Sequence, residues 1–562
     1  MKWPYRKLFA FTRRPARPQP LRRARLHMEQ LETRVTPSTQ VLTYHNDNFS
    51  SGDNLTETVL TPANVNSTSF GKLFSTNVDG QVYAQPLYMP GVTIGGSAHN
   101  VVFVATQHDS LYAIDAGSGA ILWHDALVHA VHGGTVTSVP NSDVNSGDIS
   151  PEIGITSTPV IDSSTSLIYV EAKTKENATD GTHYIHQLYA ISISDGSYQL
   201  GSPVVIADTI SNDLSHYTYV SGPWVNGSGD GRVDNVTTFD GGVTSVDGKV
   251  VFNALRQMNR PGLTEANGDI YIAYASHGDN GPYHGWVLGF SAANLQVNAV
   301  LNTTPNGGLG GIWQGGGRVA VDGSGNLYFE TGNGSFNNTT PAGTFPTDGN
   351  YGDSFVKLSI DTVHNSQNNQ NINGWGLKVA DFFTPFDQQN LNNGDLDLGS
   401  GAPMLLPDSV GSTAHPHLLV GSGKEGRIYL IDRGNMGKFD VNTDHVVQET
   451  ANTVISGSFD TPAYYNGAIY YVGGSNIGNP NDVGKTFSIA GGQLSSTATS
   501  QGPDSYAYPG DTASISANGS TNGIVWAVDT GTSQLRAYNA TGFNNELYTS
   551  AQAPGGLGAG VQ

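Results

Sequence analysis

The chain of 562 residues contains no cysteine. That absence removes disulfides, thiolate metal sites and cysteine nucleophiles together, and it says nothing positive about compartment. Charge is also scarce, with Asp, Glu, Lys and Arg at 13% of the residues. No stretch carries a sustained apolar stripe at helical spacing, and no apolar run approaches the roughly 20 residues of a membrane-spanning helix. The Gly-x-Ser-x-Gly elbow, the His-Glu-x-x-His zinc motif and the Gly-rich phosphate loop are all missing. Glycine, by contrast, reaches 71 residues, which fits a turn-dense β structure.

The net charge of −21 hides a division. Residues 1–34 hold ten Lys or Arg against Glu29 and Glu32, leaving 16 bases against 45 acids in the rest, a net of −29. So acidic a body repels phosphate backbones, and nucleic acid is excluded as an expected partner. The basic head, residues 1–40, is read instead as a targeting segment. Its text RRARLHMEQLETRVTPS resembles the leader of many exported planctomycete proteins, an LE-x-R phrase behind an Arg-rich head. The resemblance implies export to the envelope or exterior.

What the chain does have is a phrase that it keeps rewriting. The cleanest copy is VVFVATQHDSLYAIDAGSGAILW, from Val101 to Trp123. Looser copies begin at Leu167, Asp269, Asn326, His417, Ala468 and Gly523. Each holds an apolar strand, a polar or Gly-rich excursion and a second aromatic-aliphatic strand. Strand-only units recurring every 40 to 70 residues or so predict the blades of an all-β propeller over residues 41–562. Seven to eight four-stranded blades are expected. The text from Ser69, SFGKLFSTNVDG, reads as the outer strand of an eighth, incomplete one. The first blade is expected to open with a strand over Gln81–Pro90, and Trp123 to pack in the seam between blades.

The phrases LYAID…G…ILW, GRIYLIDRGNMG and GIVWAVD, with the opening TYHNDNFSSGDNLTETVLTPANV, resemble the repeats of pyrrolo-quinoline quinone (PQQ) propellers. That superfamily includes the quinoprotein alcohol and glucose dehydrogenases. The resemblance covers residues from about 41 to the end, and it implies the fold more strongly than the cofactor. Quinone chemistry needs a flat slot, a Ca²⁺ held by carboxylate and amide oxygens, and an Asp base. The vicinal cysteine pair usual in the alcohol-oxidising members is absent here.

Two stretches carry candidate chemistry. In ASHGDNGPYHGW and the following GGLGGIWQGGG, the residues His277, Asp279, His284, Trp286, Trp313 and Gln314 are placed on a rim loop and at the channel. Such a set suits a metal, a sugar or a planar ligand. It equally suits a channel plug bonded to loop backbone. In SDVNSGDISPEIG, Asp143, Asn145, Asp148 and Glu152 offer several oxygens on one loop, as Ca²⁺ requires, or else form an ordinary turn. The reading is an exported, monomeric, non-catalytic binding or scaffold propeller that takes a protein or carbohydrate ligand at its rim. The alternatives are a PQQ- and calcium-dependent dehydrogenase of alcohols or sugars, and a lyase or hydrolase built at the channel.

Overall fold

In the cleanest copy, alternating and continuous apolar text does form strands. VVFVAT lies within Ser97–Ala105, and SLYAID coincides with Ser110–Asp115. The computed structural model describes residues 39–212, 216–232, 238–239, 245–474 and 481–553. The expected leader and the end of the Gly-rich closing text lie outside the described residues. Among the described residues, seven four-stranded antiparallel meanders span 87–126, 160–211, 264–302, 320–383, 404–449, 463–506 and 514–549. They are numbered here as blades 1 to 7.

Apolar side chains on both faces of each sheet leave the core no place but the gaps between blades. Each consecutive pair of blades shares a buried cluster. Tyr169, Leu188, Ile272 and Trp286, for example, pack together between blades 2 and 3. The pairs 1–2, 3–4, 4–5, 5–6 and 6–7 are built the same way. Trp123 does sit in a seam: its indole N–H donates to the Ile193 carbonyl of blade 2 at 3.1 Å, and its ring lies 5.9 Å from Phe103.

Between blades 7 and 1 the pattern changes. The segment from Ser69 is not a strand, and no eighth blade is built on it. It crosses from one blade to the other instead. Phe70 packs against Trp526 and edge-on to Tyr548 of blade 7, and Thr76 bonds the Gly119 carbonyl of blade 1 at 2.7 Å. The opening strand of blade 1 is Leu87–Ile94 rather than Gln81–Pro90.

Residues 41–54 form no blade either. They thread along the innermost strands of all seven, in order. Val41 exchanges two backbone bonds with Tyr88 of blade 1, each 2.8 Å, and the Leu42 carbonyl accepts from Ile161 of blade 2 at 2.8 Å. Asn48 donates its amide to the Glu265 carbonyl of blade 3 at 3.3 Å. The carbonyls of Asn48, Phe49, Ser51 and Gly52 then accept from Val321, Leu405, Tyr464 and Ile515 of blades 4 to 7, at 2.6, 2.9, 2.8 and 2.8 Å. At a net of about 1 kcal/mol per bond, the thread ties every blade to the axis.

Candidate functional site

The two Gly-rich loops, 275–286 and 307–317, press backbone against backbone: a Cβ on Gly285 would overlap the Gly310 carbonyl. That approach turns the side chains between them inward, which corrects the rim placement expected for His277, His284 and Trp286 and the channel-facing placement expected for Gln314. His277 is buried, with Nε2 2.9 Å from the Lys173 ammonium. His284 is fully buried, with Nδ1 3.0 Å from the Thr304 hydroxyl, and burial takes its pKa down to about 3. Trp286 starts a strand inside the core of blades 2 and 3. The Gln314 amide donates to the Gly317 and Arg318 carbonyls and accepts from the Glu330 N–H.

Asp279 and Trp313 are half-buried. Asp279 pairs with the Tyr283 hydroxyl at 2.5 Å. Burial, then the negative charge of Asp397, pushes its pKa up to about 7. Trp313 donates its indole N–H to the Ser276 carbonyl at 3.0 Å and lies edge-on to Tyr283.

The four oxygen donors of the 143–152 loop do not converge. Asp143 pairs with Lys175 at 2.5 Å and Tyr184 at 2.8 Å, Glu152 with His108 at 2.6 Å, and Asp148 is exposed. Asn145 takes a left-handed backbone to end a one-turn helix. The loop nonetheless joins the first candidate stretch, because the Asn280 side chain donates to the Val144 and Asn145 carbonyls.

A second carboxylate group went unread in the sequence. The alternation Asp395-Leu396-Asp397-Leu398 was its available signal. The Lys424 ammonium lies 2.5 Å from Asp397 and 3.1 Å from Asp395. Asn333 donates its backbone N–H to Asp397 at 2.7 Å and its amide N–H to Asp395 at 2.9 Å. Burial works against the charged lysine, but the two carboxylates outweigh it and hold its pKa above the usual range.

The seam between blades 7 and 1 holds a cavity of about 540 Å³. Tyr44 and His45 of the thread, Tyr83 and Gln85 ahead of blade 1, Trp526 of blade 7, and Arg260 line it. The Arg260 guanidinium donates to the Thr156 and Gly315 carbonyls at 3.1 and 3.2 Å. Among the described residues no carboxylate pairs with it. It rests on Gly316, where any side chain would displace it, at a backbone φ of +97°. Burial pushes Asp511, also in the lining, well above the usual carboxylate range. A lone arginine in a generic loop carries no signal in the sequence.

Neither a family model nor a curated protein sequence matches the chain. Solved structures do. The quinohemoprotein alcohol dehydrogenase of Comamonas testosteroni aligns with a TM-score of 0.51 at 14% identity, over 91% of this chain and 73% of that one. A quinohemoprotein alcohol dehydrogenase of Pseudomonas putida aligns at 0.50 and 14%, over 91% and 72%. The chain has the quinoprotein-type β-propeller fold.

In this quinoprotein-type propeller, Asp395, Asp397 and Asn333 supply the oxygen chemistry that Ca²⁺ takes, and the Asn333 side-chain Oδ1 is buried without a partner. The charge does not fit. The Lys424 ammonium already stands against both carboxylates, and a divalent cation beside it would meet strong repulsion.

Proposed function

We propose that this propeller is a binding module that takes a small organic anion in the seam cavity, with no chemical conversion of it. The observation that carries the reading is Arg260. Its guanidinium lines a cavity walled by Tyr44, Tyr83 and Trp526, and among the described residues no carboxylate forms an ion pair with it. Aromatic walls with one guanidinium suit a planar carboxylate, which Arg holds with two parallel bonds. The basic head adds export to the proposal, with the ligand met outside the cytoplasm.

A second reading, a PQQ- and calcium-dependent dehydrogenase of alcohols or sugars, draws support from the fold and from Asp279, a carboxyl with its pKa raised to about 7 beside Tyr283, whose ring lies edge-on to Trp313. Both readings are tested by titrating the purified chain with PQQ, a tricarboxylate, and with simpler aromatic carboxylates, with and without Ca²⁺. Absorbance and melting temperature report binding. Calcium-independent binding that Arg260→Gln weakens at least tenfold supports the binding module. Binding that needs Ca²⁺ and ignores Arg260→Gln favours the dehydrogenase. No carboxylate binding overturns the proposal.

A further inference from the structure

Blade 2 carries a hairpin longer than its neighbours need. Its two middle strands, Leu167–Ala178 and Gly181–Ser192, each run 12 residues, while the inner strand Val160–Asp162 pairs only with the first three residues of Leu167–Ala178. The overhang is covered by strand Thr135–Pro140, which pairs with residues 174–177. Three elements meet at the hairpin tip: the loop before Thr135 brings His132, the hairpin turn brings Asp180 and the returning strand brings His183. One ligand atom from each lies within 4.8 Å of the others, and no other such group of three His or carboxylate side chains occurs among the described residues.

The surroundings hold these side chains in place. Asp208, on strand Val204–Ser211, accepts from His132 Nε2 at 2.8 Å and from His183 Nδ1 at 2.9 Å. With those nitrogens donating, the remaining lone pairs sit on His132 Nδ1 and His183 Nε2. The second of these faces Asp180 at 3.2 Å. Glu176 fixes the His132 loop by accepting the backbone N–H groups of Val131, His132 and Gly134 at 2.8, 2.9 and 2.6 Å. Glu176 is also the cross-strand partner of His183. Carboxylates that orient two imidazoles from behind are the usual support of a metal centre.

Two carboxylates, Asp180 and Asp208, flank two imidazole rings stacked 3.8 Å apart. We infer that His132, His183 and Asp180 bind a divalent transition-metal ion of the zinc class at the tip of blade 2, with Asp208 orienting both rings. Nitrogen donors select zinc, copper or nickel over calcium. Because the stacked lone pairs run side by side, coordination takes a tilt of the His132 ring. That ring is the more exposed of the two, at 25% against 1% for His183. Asp180 is 59% exposed, which leaves the fourth position open to water.

The test is equilibrium dialysis of the untagged full chain against Zn²⁺, with melting temperature followed in parallel. One Zn²⁺ per chain is expected, with a raised melting temperature. His132→Asn and Asp180→Asn, both at solvent-accessible positions, should each weaken binding at least tenfold and abolish the zinc-dependent rise while melting normally without zinc. Absence of stoichiometric zinc, or zinc binding that both variants leave unchanged, would overturn the assignment. Binding lost only in His183→Asn would also overturn it, since that residue is buried and its loss alone would report a disturbed fold.

Discussion

Arg318 Nη2 donates to Asn48 Oδ1 at 2.7 Å, joining residues 270 positions apart in sequence. The same fully buried guanidinium reaches Thr43 Oγ1 at 2.8 Å, the Asp47 carbonyl at 3.1 Å and Thr264 Oγ1 at 3.1 Å. It joins His45, whose Nε2 lies 3.0 Å from the Ala513 carbonyl, and Tyr44, whose hydroxyl meets Thr461 at 3.1 Å, in holding the thread by side chains. Arg318→Met keeps much of the volume and strands these acceptors. We expect a loss of about 3 kcal/mol in unfolding free energy, read by urea denaturation. A variant within about 0.5 kcal/mol of the parent would show that the thread holds without it.

The thread also sets how much of the N-terminus can be removed. Deleting residues 1–36 leaves Val41 and its bonds to Tyr88 in place and should preserve the fold, while blocking export. Deleting residues 1–54 removes a partner from every blade and should leave no cooperative melting transition. Circular dichroism and localisation of a reporter fusion check the two halves. Retained export of the shorter deletion would sink the leader assignment.

Lys424 gives a third test. Lys424→Ala leaves Asp397, only 7% exposed, without its cation. Stability should fall by about 2 kcal/mol, and millimolar Ca²⁺ should restore most of it in the variant but not in the parent. If calcium does nothing to the variant, Asp395, Asp397 and Asn333 are not a latent cation site.

Stability should also respond to pH through two buried groups of opposite sign. Burial pushes Asp460 up to about 7. Between about pH 4 and 7 the folded chain therefore keeps a proton that the unfolded chain has released. Stability falls as pH rises through that window, by about 1.4 kcal/mol per pH unit. His284, taken down to about 3, acts on the acid side. There the unfolded chain gains a proton below about pH 6.5 that the folded chain refuses, so stability falls as pH drops. Asp460→Asn should make the first slope shallower, leaving the part that Asp279 contributes, and keep the second, measured as urea midpoints from about pH 4 to 8. A profile parallel to the parent's would contradict the assignment.

The repeat was legible because its information is local. VVFVAT and SLYAID write their strands in apolar period and continuity, and Trp123 writes its seam in size and position. The thread was not legible. Six of its seven blade contacts use main-chain groups that every residue carries, so TYHNDNFSSGDN reads as loop text. The candidate loop at 275–286 was found, but its side chains were placed on the wrong side of their backbone. Nothing in ASHGDNGPYHGW says that Gly285 will meet Gly310. Lys424 with Asp397, and His132 with His183, are pairings across strands or blades, and one sequence offers no period that links them.

The thread has a consequence in time. During synthesis Gly52 leaves the ribosome long before its partner Ile515, which follows 463 positions later. At ordinary elongation rates that interval is roughly 20 to 90 seconds. Throughout it, the seven inner strands accumulate around an axis whose central ligand, residues 41–54, has no complete set of acceptors and donors to join. The nascent chain must spend that interval unlocked, and residues 41–54 stay available to whatever machinery handles an emerging protein.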